Sequence, residues 1–343
     1  MAKSSSPILP LPAERILASL DPEYKVLRKI RDKDPRISVH IRLKGSECLL
    51  KVLKNNKFWK RPERRLRFQK EIYIYSRLQN IGFSWFHYPK LLETDTKYYI
   101  LTEFIKNNPV NRQDSVFYFS AMKAVLEFNT CNFPFWEKGG PGWIWEKTNR
   151  WKHSRSSKTL RNLLEGSLLK GKVPFSLLLR MTSFWRKAIS ATPELKKPLL
   201  VHRDIFKANI LCPAQGKIYF VDFEKAGMEK RWVFIDALKI AQAEPLFYDN
   251  NSGEISGFPR FYISLLENYW EGLLLRRSEI IPGKTHFKTQ LKFCLLGWAL
   301  KKVVKEDLGN KKEKDILRFI DTVILGPEEK FDHWFYSLPL LKS

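Results

Sequence analysis

The sequence contains no Cys-x-x-Cys pair. Its four cysteines (Cys48, Cys131, Cys212 and Cys294) are scattered through 343 residues. That spacing argues against a disulfide framework or a zinc ribbon and fits buried, reduced thiols, so a cytoplasmic protein is expected. No apolar stretch approaches the ~18 residues of a membrane-spanning helix. The start, MAKSSSPILPLPAERI, lacks a long apolar segment, so a secretory leader is not expected. Its Ser and Pro content predicts a flexible arm over residues 1–20. The histidines His40, His87, His153, His286 and His333 show no metal-ligand spacing. There is no internal repeat, no zinc knuckle, no helix-turn-helix signal and no RNP motif, so a nucleic-acid reader is not expected.

Acidic residues are also scarce. The chain carries 36 Asp and Glu against 61 Lys and Arg, a formal net charge of +25. The excess is not one tail. Residues 51–70 hold nine Lys or Arg against one Glu, and residues 150–172 hold seven against one. Such a surface attracts a polyanion, which predicts an anionic substrate or peripheral contact with the inner face of a membrane.

What is present is a change of character along the chain. YKVLRKI, ISVHIRL and CLLKVLK read as three strands separated by turns. Residues 60–79 read as a helix with Leu66, Ile72, Ile74, Tyr75 and Leu78 on its apolar positions. FHYPKLLET and KYYILTEFI read as two more strands. Five strands with one inserted helix make a small α+β lobe over residues 21–103. From residue 104 to 343 the pattern is mostly helical, with a short β insert near 200–224. The Trp- and Gly-rich stretch containing Trp136, Trp143 and Trp145 reads as a loop or cover.

The β insert carries the chemistry. In LLVHRDIFKANILCP an apolar run stops at His-Arg-Asp, and an Asn follows five residues after the Asp. A turn and a second strand then lead to Asp222. Such a hairpin gathers Asp204, Asn209 and Asp222 at one end of a small sheet. Two carboxylates and an amide suit a hard Mg²⁺ ion. One further carboxylate beside a metal-bound polyphosphate can accept the proton of an attacking hydroxyl. Asn209 and Asp222 therefore read as metal ligands and Asp204 as the base. Lys51 lies in an apolar strand and needs a carboxylate partner. Glu71 is nearly the only acid in the following basic helix. Lys54 competes with Lys51 for this role, and Glu63 with Glu71.

With these residues in place, the sequence resembles the protein-kinase-like superfamily. It is most similar to the aminoglycoside and choline phosphotransferases and to bacterial sugar kinases acting on lipopolysaccharide. HRDIFKANIL is similar to the catalytic loop and VDFE to the metal-binding segment. The resemblance implies a bilobal fold using ATP and Mg²⁺, with Asp204 as base, Asn209 and Asp222 on the metal, and Lys51 with Glu71 on the phosphates. It implies that backbone groups of Glu103, Phe104 and Ile105 bind adenine at an interlobe hinge. It further implies that Asp236 braces the catalytic loop and that His202 packs beneath it as a structural residue.

Several features depart from a protein kinase. The turn RDKDPR has no glycine, and Asp222 is followed by Phe-Glu. Only 14 residues separate Asp222 from Asp236, which leaves no room for a peptide-binding activation loop. These departures imply a kinase acting on a small molecule, a sugar or an anionic glycolipid. A non-catalytic kinase fold that binds a polyanion, and an atypical protein kinase, are the alternatives. The acceptor wall is expected from the C-terminal helices, with Asp249, Glu267 and Glu271 as candidates.

Overall fold

The computed structural model describes residues 11–33, 36–53, 62–95, 99–107, 115–147, 155–169, 171–205, 207–214, 217–241, 260–305 and 310–336. It forms two lobes.

The small lobe begins with α1 (Leu11–Leu20), then β1 (Lys25–Lys33), β2 (Arg36–Leu43), β3 (Ser46–Leu53), α2 (Pro62–Leu78), β4 (Phe86–His87), β5 (Leu91–Thr94) and β6 (Tyr99–Glu103). Five of these strands form an antiparallel sheet in the order β1-β2-β3-β6-β5. The β2–β3 hairpin turns at Lys44 and Gly45, both at positive φ (50° and 80°), the conformation a two-residue hairpin turn requires.

Strand alternation gives this sheet two distinct faces. Ile37, Val39, Ile41 and Leu43 of β2 and Cys48, Leu50 and Val52 of β3 point one way and are buried against Ala13 and Leu17 of α1. The segment expected as a flexible arm is therefore, over Leu11–Leu20, a helix covering the outer face of the sheet. Residues 1–10 lie outside the described residues. Arg36, Ser38 and His40 of β2 alternate with those buried residues and, with Lys51 of β3, face the other side. Helix α2 packs there, with Phe68 and Ile72 against Leu53 and Ile100. Its other face, through Ile74, Tyr75 and Leu78, joins the core of the large lobe.

The large lobe contains α3 (Ser115–Thr130), α4 (Pro141–Lys147), α5 (Arg155–Leu169), α6 (Phe175–Ala191), β7 (Leu199–Val201), β8 (Ile210–Leu211), β9 (Ile218–Phe220), β10 (Gly227–Glu229), α7 (Ile235–Ala241), α8 (Arg260–Arg276), α9 (Lys284–Lys305), α10 (Asn310–Phe319) and α11 (Glu328–Tyr336). Strands β4, β9 and β8 form a three-stranded sheet, so β4 leaves the small-lobe sheet and pairs in parallel with β9. Strands β7 and β10 pair antiparallel. The Trp-rich cover expected as a loop includes α4. Pro141 opens this helix, where its missing N–H costs nothing, and Trp145 is buried. Gly142 lets the chain pass the Trp136 ring, because a Cβ there would stand 2.6 Å from ring carbon Cε3. No helix among the described residues is long and apolar enough to cross a membrane.

Candidate active site

The three buried apolar residues of β7 lead directly into the loop that carries Asp204. Asp236, at the start of α7, anchors that loop. Its carboxylate accepts the backbone N–H of His202 at 2.6 Å and of Arg203 at 2.8 Å, and the Asn129 amide at 3.1 Å. Asn129 Nδ2 also donates to the Leu200 carbonyl, and the Tyr269 hydroxyl lies 2.7 Å from Asn129 Oδ1. Asp236 thus sits in a buried network with His202, Arg203, Asn129, Leu200 and Tyr269. Arg203 takes a left-handed conformation (φ 65°), which turns the chain sharply just before Asp204. His202 is buried, and burial lowers its pKa below the usual histidine range. Its Nε2 lies 3.0 Å from the Val221 carbonyl, tying this loop to the segment before Asp222.

Asn209 closes a short 3₁₀ turn (Lys207–Asn209). Its Nδ2 donates to the Asp204 carbonyl at 2.9 Å, so the amide oxygen is the end that could take a metal ion. The Val221 N–H donates to the Asn209 carbonyl at 3.1 Å, so the two halves of the hairpin meet here. Asp222 also has positive φ (66°). Strained non-glycine backbone gathers at functional sites, and both Arg203 and Asp222 border this one. Phe223 follows Asp222 into the core and meets Tyr75 of α2 edge-on at 5.0 Å.

The small lobe supplies the cations. Lys51 Nζ donates to Glu71 Oε1 at 2.7 Å and lies 3.5 Å from Asp222 Oδ1. Burial disfavours the charged lysine, but Asp222 and Glu71 outweigh it and hold the ammonium above its ordinary pKa. Burial pushes the Glu71 carboxyl up while Lys51 pulls it down, and the short contact keeps the two as an ion pair. Burial would likewise raise Asp222, yet Lys51 and Arg36 hold it down at about 2. Of the competing residues, Lys54 and the side chain of Glu63 lie outside the described residues.

Sequence reading did not single out Arg36. Its guanidinium lies 3.8 Å from Glu71 and 3.6 Å from Asp222, and it also pairs with Glu224. Glu224 is the acid that stands directly after Asp222-Phe223. The glycine-free turn and the Phe-Glu departure therefore belong together: Arg36 from the small lobe meets Glu224 from the large lobe. The signal was available, since the alternation of β2 places Arg36 on the same face as Ser38, opposite Lys51. Lys225, which contacts Asp204, was also missed, as were Asn129 and Tyr269.

At the hinge, the Glu103 N–H donates to the Lys90 carbonyl and the Phe104 N–H to the Glu47 carbonyl. Of the three expected hinge residues, Glu103 and Phe104 thus have their N–H groups engaged within the small lobe. The Phe104 ring stacks on His40 at 3.5 Å. His40 and Arg36 lie four residues apart on one strand face, a span of about 13 Å from hinge to cations.

Asp249 and His153 lie outside the described residues. Glu267 neighbours Glu271, Lys284 and Tyr336, none of them on the loop carrying Asp204. Among the described residues no three His, Cys, Asp or Glu side chains gather to hold a metal.

The sequence matches no family profile and no curated protein. The fold does find likenesses among solved structures. Aminoglycoside phosphotransferase APH(2")-IIa in a ternary complex with streptomycin and ATP superposes with a TM-score of 0.57 at 12% identity, over 93% of this chain and 99% of that one. Macrolide 2'-phosphotransferase MphH from Brachybacterium faecium gives 0.53 at 12%, over 90% and 98%. Aminoglycoside phosphotransferase APH(4)-Ia with AMP-PNP and hygromycin B gives 0.51 at 10%, over 92% and 98%. At these identities the likeness establishes the fold alone, a bilobal α+β architecture shared with these phosphotransferases.

Proposed function

We propose that this chain, built on the fold of the aminoglycoside and macrolide phosphotransferases, is an ATP-dependent phosphotransferase that phosphorylates a hydroxyl of a small molecule. The observation that carries the reading is convergence. Lys51, Glu71 and Arg36 from the small lobe meet Asp222 of the large lobe, and the Asn209–Asp204 loop adjoins it.

Each residue then has a role. Lys51, fixed by Glu71, and Arg36 hold the nucleotide phosphates, and Arg36 replaces the backbone donors of a glycine-rich loop. Asn209 Oδ1 and the Asp222 carboxylate would hold Mg²⁺. One amide and one low-pKa carboxylate suit this ion, which keeps waters and takes its remaining oxygens from substrate phosphates. Bound there, it supplies positive charge against the phosphate oxygens. Asp204 accepts the proton of the acceptor hydroxyl as that oxygen bonds to the γ-phosphorus. The bond from the γ-phosphorus to the bridging oxygen breaks, and ADP leaves with the electron pair.

The net charge of +25 supports an anionic acceptor, a phosphorylated sugar or a glycolipid of the lipopolysaccharide-core type. For a glycolipid, the basic surface would also meet the membrane.

Calorimetry tests the reading. Mg·ATP is expected to bind, and Lys51→Met to lose that binding. A wild-type chain that ignores millimolar Mg·ATP would sink it. Arg36→Ala is expected to raise the KM for ATP about tenfold or more, the worth of one charged hydrogen bond. An unchanged KM would remove Arg36 from the phosphate site.

A further inference from the structure

A cavity of about 510 Å³ lies between α3 and α8, and its lining includes none of Lys51, Asp204 and Asp222. Helix periodicity builds its walls. Phe119, Met122, Lys123 and Leu126 recur at i, i+3, i+4 and i+7 on one face of α3. Leu265, Asn268, Tyr269 and Arg276 share a face of α8 in the same way. The two helices touch because Gly272 has no side chain: a Cβ there would collide with Leu126 Cδ2. Trp85, just before β4, completes the lining. Its segment is pinned, since the Glu127 carboxylate accepts the backbone N–H groups of Ser84, Trp85 and Phe86 at 2.7, 2.8 and 2.8 Å.

The lining is mostly apolar. Met122, Leu126 and Leu265 face the rings of Trp85, Phe119 and Tyr269 across a space of small-molecule size. Trp85 is 39% and Phe119 38% exposed, so the cavity opens to solvent. The Tyr269 hydroxyl is taken up by Asn129 at 2.7 Å and the Val233 carbonyl at 2.9 Å, which leaves its ring as the wall.

The charge of the lining has one sign. Among the described residues its charged members are Lys123 and Arg276, and none is acidic. Lys123 Nζ stands 4.0 Å from the Trp85 ring centroid, and Arg276 Nη1 donates to the Thr130 hydroxyl at 3.1 Å. Neither contact neutralises the cation. Glu127, the acid nearest to Lys123 in sequence, is committed to its three amides.

Three kinds of occupant can be compared. A cationic molecule meets like charge. A neutral apolar molecule fills the lining and makes no use of the two cations. An amphiphilic anion matches both the apolar walls and the charge.

We propose that this cavity is a binding site for a small amphiphilic anion, with a compact alkyl or aryl body against α3 and α8 and one carboxylate, sulfate or phosphate group at Lys123 and Arg276. A concave space of this size fits a free molecule rather than a membrane surface. The site stands independently of the phosphotransferase reading.

Octyl sulfate is the test probe and 1-octanol its neutral counterpart, both titrated by calorimetry well below micelle formation. The wild-type chain is expected to bind octyl sulfate saturably and about fivefold or more tighter than 1-octanol, the scale of an exposed ion pair. Phe119→Ala is expected to weaken both probes. Lys123→Glu is expected to lower octyl sulfate affinity about fivefold or more and to leave 1-octanol unchanged. Lys196→Glu makes the same charge change outside the cavity and controls for the general attraction of a +25 chain. All three substituted side chains are exposed, and the thermal midpoint of each variant checks that it is folded. Absence of saturable octyl sulfate binding would overturn the proposal. So would 1-octanol binding as tight as octyl sulfate, equal losses in Lys123→Glu and Lys196→Glu, or unchanged affinity in Phe119→Ala.

Discussion

Asp204→Ala is expected to lower phosphoryl transfer by about 100- to 10,000-fold, the usual contribution of a positioned general base. It is expected to leave the thermal midpoint nearly unchanged, because the substitution removes little that holds the loop. Asn209 donates mainly to the Asp204 backbone carbonyl, at 2.9 Å, and alanine keeps that carbonyl; the side-chain contact is only 3.5 Å. Lys225 is half-exposed and returns to water without leaving a buried charge. Arg203 and His202 remain tied to Asp236. Asp204→Asn keeps the shape but cannot take a proton, and is expected to fall by a similar factor. Transfer rates are read beside Mg·ATP affinity, which neither variant is expected to change much because Lys51 and Asp222 stay in place. Full transfer by either variant would remove Asp204 from the role of base.

The candidate site was legible as a cluster because its residues obey local rules. Asp204, Asn209 and Asp222 sit at fixed spacings between short apolar runs, and a hairpin brings them together whatever surrounds it. Lys51 and Glu71 were legible as oddities, a cation in an apolar strand and an acid in a basic helix. α1 was not legible as a packed helix. Its Pro and Ser neighbours mimic a flexible arm, and its partner is a sheet face formed by residues 37 to 52. The Arg36–Glu224 contact joins residues 188 apart, and no local rule couples a missing glycine in one turn to an acid after Asp222.

Asn129 and Tyr269, the partners of Asp236, were the other illegible part, and the network they form with it supports the largest expected loss of stability. Asp236 is fully buried and accepts two backbone N–H groups and one side-chain amide. Asp236→Ala strands all three donors in the core and removes a counter-charge from Lys239. An unsatisfied buried donor costs about 1–3 kcal/mol, so a total of about 3–5 kcal/mol is expected after relaxation. Against a typical folding free energy of about 5–15 kcal/mol, that is a large fraction. Asp236→Asn is not a rescue. Both carboxylate oxygens accept from backbone N–H groups, so an amide must turn its own NH₂ toward one of them. Tyr269→Phe is expected to cost only about 1 kcal/mol, since it removes a single hydroxyl donor. Urea unfolding of the three variants separates these cases: a midpoint for Asp236→Ala no lower than that for Tyr269→Phe would mean that the loop carrying Asp204 is braced by something other than this carboxylate.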